Sequence, residues 1–136
     1  MSSPDDLAAL TGLVARQALD LNLYAGFLMN SLAGVLGPET ISVERKGSLG
    51  DKIRGREPAV RGAAVTLGAE RFILRRPSVT AAPIASIAHV GGGIVLKTET
   101  VPLHEWAMRL AGALRDVAQQ NEAAAAALAR ITSFDL

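Results

Sequence analysis

Apolar residues in this chain keep two different periods in three consecutive blocks, and that pattern restricts the fold more than any other feature. From about Asp5 to Val35, the residues Leu10, Leu13, Val14, Leu21, Tyr24, Leu28, Leu32 and Val35 recur three or four positions apart, one stripe of a helix. Between Ile41 and Thr100 the spacing changes to alternation, the period of a half-buried strand. From Leu103 onward Trp106, Leu110, Leu114, Val117, Ala124, Leu128 and Ile131 return to helical spacing. The order is therefore helix, sheet, helix.

Punctuation residues divide the blocks. Pro4, Asp5 and Asp6 suit the start of the first helix and Gly37-Pro38 its stop. Ile41 to Arg45 alternates as a strand, and a loop from Gly47 to Pro58 follows. Val60–Leu67 and Arg71–Arg76 read as strands joined at Gly68-Ala69-Glu70, with Phe72 and Leu74 on one face and Arg71, Ile73 and Arg75 on the other. After a second loop, Ile84–Val90 and Ile94–Thr100 make a hairpin turned by Gly91-Gly92-Gly93, where the missing Cβ permits positive φ. Pro102 tolerates a first-turn position of the last helix, and Glu105 favours the positive end of its dipole. Short connections favour an antiparallel meander. The expected fold is α+β: four or five antiparallel strands flanked by a long N-terminal and a long C-terminal helix packed on one face, in a single domain over residues 1–136.

A chain of 136 residues buries about two thirds of the surface that its unfolded form exposes, enough for a core without staples. It has no Cys, which excludes disulfides, zinc-thiolate sites and thiol nucleophiles. The acidic N-terminus Met-Ser-Ser-Pro-Asp-Asp lacks the basic start and apolar run of a secretory signal, so a cytoplasmic protein is expected. Asp20, Asn22, Asn30 and Ser31 interrupt the greasy second half of the first helix and argue against a membrane span. There, Leu19, Leu23, Phe27 and Met29 fall off the main stripe. One face can pack on the chain's own sheet, but a second cannot, so Leu19, Leu23 and Phe27 are expected at an interface with a second chain, as in a homo-oligomer.

Charge is distributed as unevenly as hydropathy. Residues 1–44 carry a net −4 and residues 77–136 a net −1, whereas residues 45–76 carry +6. Arg45, Lys52, Arg54, Arg56, Arg61, Arg71 and Arg75 are thus the candidates for contact with an anionic partner such as nucleic acid. The competing reading is a solvated sheet face whose arginines guard the strands against aggregation, and it is favoured because strands commonly show one polar face.

Signatures of catalysis are weak. His89 and His104 lack a His-x-x-x-His or His-carboxylate spacing, and no Gly-x-Ser-x-Gly surrounds Ser31, Ser48, Ser78 or Ser86. Gly91-Gly92-Gly93 joins strand to strand rather than strand to helix, so it reads as a turn and not as a phosphate loop. Gly47-Ser48-Leu49-Gly50 has the Gly-x-x-Gly of a KH module, but follows a strand where that module needs helices on both sides. Trp106 and Tyr24 stand singly on helix stripes, as core anchors do. No metal or other cofactor is called for.

The order helix, meander, helix is similar to that of the YbaB-like nucleoid-associated proteins and of the type III secretion chaperones, a likeness of element order over most of the chain that transfers no site residue. The over-apolar first helix and the lack of a catalytic cluster lead to the expectation of a non-enzymatic oligomeric adaptor or chaperone-like module that binds a protein partner. The alternative is a nucleoid-associated-type dimer using the basic segment 45–76.

Overall fold

A computed structural model describes residues 4–46, 59–78 and 80–120, together with Glu122, Ala125 and Ala126. Lys52, Arg54 and Arg56, the Gly47–Gly50 loop, and Ala124, Leu128 and Ile131 of the C-terminal stripe lie outside the described residues.

The N-terminal apolar stripe does not form one continuous rod. Helix α1 spans Pro4–Ala18 and α2 spans Leu21–Phe27. Asp20 adopts an extended conformation between them and caps α2, its Oδ1 accepting from the amides of Asn22 at 2.9 Å and Leu23 at 3.4 Å. A short aspartate competes well for orphan amides at a helix start, so the chain breaks where its side chain can do so. Beyond α2 a π-type turn runs over Leu28–Leu32, with the Ala33 amide donating to the Leu28 carbonyl five residues back. Helix α3 (Ala33–Leu36) ends at Gly37, whose φ of +94° is one that L side chains rarely adopt.

Five strands follow: β1 (Ile41–Lys46), β2 (Ala59–Leu67), β3 (Glu70–Arg75), β4 (Ile84–Gly91) and β5 (Ile94–Thr100). They form one antiparallel sheet in the order β1-β2-β3-β4-β5, so every neighbour in space is a neighbour in sequence. The β4–β5 turn uses Gly92 and Gly93 at φ +59° and +82°, the two consecutive positive values of a two-residue hairpin turn. Helix α4 spans Leu103–Gln120. Its first i→i+4 bond runs from the Trp106 amide to the Pro102 carbonyl at 2.9 Å, which puts Pro102 at the cap rather than inside the first turn.

The fold is thus the expected α+β arrangement, an antiparallel meander with helices before and after it. Val65, Phe72 and Ile87 lie in register across β2, β3 and β4 and are fully buried on the helix-facing side of the sheet. Helix α2 lies on β2 and α4 lies on β4, while α1 packs against α4. Between helices and sheet, Trp106 is fully buried, meets Tyr24 edge to face at 5.5 Å between ring centres, and donates its Nε1–H to the Ser86 carbonyl at 3.1 Å. A lone Trp on the stripe is therefore the clamp of the last helix onto the sheet.

Candidate protein-binding surface

The basic segment resolves into several internal bonds. On the face of the sheet away from the helices, Glu44, Gly62 and Arg75 are directly opposed across β1, β2 and β3. The bare Gly62 lets the flanking side chains meet over it: Arg75 Nη2 lies 3.0 Å from Glu44 Oε2, and a Cβ at Gly62 would come 3.2 Å from Arg75 Cγ. Arg71 donates from Nε to Thr66 Oγ1 at 3.1 Å, and Arg61 donates to the Pro77 carbonyl. Arg76 is buried, with Nε donating to the Val60 carbonyl at 2.8 Å. Arg45 is exposed on β1. Of the anionic-partner candidates, Arg71 and Arg75 therefore share the open face of β3, whereas Arg61 is turned toward the Pro77 loop. An open trough of about 350 Å³ on this face is lined by Glu39, Glu44, Thr66, Arg71, Ile73 and Arg75 among others, and its charges are of both signs.

A second polar cluster lies at the other end of the sheet, on the helix side. Arg109 of α4 reaches across to Glu99 of β5 at 3.0 Å and to Glu70 of β3 at 3.3 Å, and His89 Nε2 stands 3.5 Å from the same Glu99 oxygen. These hydrogen bonds, first from Arg109 and then from His89, hold the Glu99 carboxyl below its ordinary range, and Glu99 in turn holds the Arg109 guanidinium above its own. The cluster ties α4 to two strands. His104 is exposed in the first turn of α4, and neither histidine lines the trough. Among the described residues no group of three or more His, Asp and Glu could hold a metal ion.

What the surface offers instead is uncovered apolar area. Leu19 is 69% exposed and Leu23 58%, one at the break between α1 and α2 and the other four residues on, with the exposed Met29 beyond. Phe27 is buried, its ring 6.4 Å from that of Tyr24. The structure thus separates the three expected interface residues: two face outward and the third fills the core beneath them. The break at Asp20 sets the phase of α2 and so which of these side chains face out, and a simple helical wheel does not register it.

Sequence reasoning also missed an apolar stretch on β5. Ile94, Val95 and Leu96 are 64%, 51% and 66% exposed, and they occupy an edge strand. Strand period alone gives no hint of this, because nothing local distinguishes the edge of a sheet from its centre. No helix among the described residues is long and apolar enough to cross a membrane. Compared with protein families, with characterised proteins and with solved structures, the chain matches none.

Proposed function

We propose that this chain is a non-enzymatic oligomeric adaptor, chaperone-like in that it binds a protein partner through apolar surface on its helical side. The observation that carries the reading is the outward placement of Leu19 and Leu23 in a fold whose core is already filled by Phe27, Tyr24 and Leu28. Large apolar side chains gain about 25 cal/mol per Å² on leaving water, so two exposed leucines four residues apart favour a contact that covers them. Asp20 between them stays solvated and caps α2, so Leu19 is displayed on the turn before the cap and Leu23 on the first helical turn after it.

The test uses Leu19→Asp with Leu23→Asp, since a charge at the buried Phe27 would disrupt the core and report on stability alone. Both positions are exposed, so circular dichroism should be unchanged. Cross-linking in native cells should give a protein complex with the wild type that the double variant loses. The same complexes at the same yield with both proteins would refute the proposal.

A further inference from the structure

Strand β5 has β4 on one side and, among the described residues, no strand on the other. Its backbone direction follows from one bond. The Val101 amide donates to the Ala85 carbonyl at 3.1 Å, making 85 and 101 a hydrogen-bonded pair. Bonded and non-bonded pairs alternate along an antiparallel ladder, so Glu99 with Ile87 and Lys97 with His89 are also bonded pairs. Thr98 and Thr100 then point their amides and carbonyls at the free edge.

Such an edge, with Ile94, Val95 and Leu96 beside it, is a template for another strand. The opposite edge differs: β1 ends in Glu44, Arg45 and Lys46. On β5 the charges are Lys97 and Glu99, two residues apart on the helix-side face, their β4 partners being His89 and Ile87. Two copies related by a twofold axis perpendicular to the sheet keep their faces, so the axis must pass through a residue. Centres at Lys97 or Glu99 oppose like charges. A centre at Leu96 falls on the β-bulge that separates Val95 from Lys97, and it opposes neither charge to its opposite. A centre at Thr98 sets each Lys97 against the Glu99 of the other copy, twice over, within the regular part of β5 beyond the bulge at Leu96. Arg109 and His89 both approach Oε1 of Glu99, which leaves Oε2 for that lysine.

We infer that two copies of this chain join edge to edge through β5, antiparallel about Thr98, so that two five-stranded sheets run on as one. This contact goes beyond the helical surface proposed above and is independent of it. The occupant of the β5 edge is a second copy because the register that satisfies its outward backbone groups also pairs its only two charges.

Because the chain has no Cys, a single introduced thiol reports the register cleanly. In the Thr98-centred pair the two Thr98 Cα atoms lie about 5.5 Å apart, within disulfide reach. The two Thr100 Cα atoms are offset by four residues, about 13–14 Å, beyond it. Wild type is expected to sediment as a dimer at micromolar concentration. Under mild oxidation Thr98→Cys should form a covalent dimer readily and Thr100→Cys should not. Lys97→Glu, exposed and leaving the circular dichroism spectrum unchanged, should weaken dimerisation about tenfold or more, since both cross-strand attractions become repulsions. A monomeric wild type would overturn the inference, as would equal cross-linking of the two cysteine variants. So would a dimer that Leu19→Asp with Leu23→Asp dissolves and Lys97→Glu leaves intact, an outcome that places self-association on the helices, whereas loss of the partner complex alone in that double variant bears on the proposed function and not on β5.

Discussion

Trp106 and Tyr24 occupy the same buried contact but are satisfied differently. Trp106 has its N–H bonded to the Ser86 carbonyl, while the Tyr24 hydroxyl finds no hydrogen-bond partner among the described residues. Burial also pushes the Tyr24 phenol far above its ordinary range, so it stays protonated. Trp106→Ala should therefore cost about 3–5 kcal/mol through lost transfer energy and a cavity. Tyr24→Phe keeps the ring and removes an unpaired buried hydroxyl, so it should be neutral or stabilise by about 1 kcal/mol. Denaturant melts of both variants check the pair of values, and a large loss in Tyr24→Phe would mean that the hydroxyl is bonded. Glu99 gives a pH signature. Its folded carboxyl titrates below the unfolded value of about 4.3, so its contribution to stability is present above that value and lost as pH falls through the folded one. A carboxylate-detected NMR titration should place Glu99 below 4.3 or so, and Arg109→Gln should return it toward the usual range.

Elements here are set by single residues at their ends and crossings. Asp20 decides that the N-terminal apolar stripe becomes two helices, because its Oδ1 satisfies amides that a continuing helix would have bonded internally. Asp20→Ala removes that cap and should cost about 1 kcal/mol, read as a lower urea midpoint at unchanged slope. No change would show that packing of Leu21 and Tyr24 alone fixes the start of α2. Gly62 acts similarly within the sheet. A glycine in mid-strand is weakening in itself, yet this one opens the lane in which Arg75 and Glu44 meet. Both side chains are largely exposed, so the pair orders the open face more than it stabilises it.

At the scale of the whole molecule, the excess of positive charge in residues 45–76 and the internal bonds of Arg61, Arg71 and Arg75 oppose each other as arguments about nucleic acid. Binding to a phosphate backbone must weaken steeply with salt, with a log–log slope near −0.9 per contact. Little duplex DNA binding is expected even at low salt. Submicromolar, salt-sensitive binding abolished by changing Lys52, Arg54 and Arg56 together to Ser would reverse the ranking in favour of the nucleic-acid reading. The element order, the two hairpins, the helix-facing Phe72 and Leu74 and the role of Trp106 could all be read from the sequence. Each depends on local period or on a glycine that few other residues can replace. Tertiary structure alone decided that Phe27 fills the core while Leu19 and Leu23 face outward, that Glu44 and Arg75 meet across Gly62, and that β5 is an open edge. Those outcomes depend on which strand lies beside which and on how the helix broken at Asp20 packs, and such contacts between distant residues leave no periodic trace in the chain.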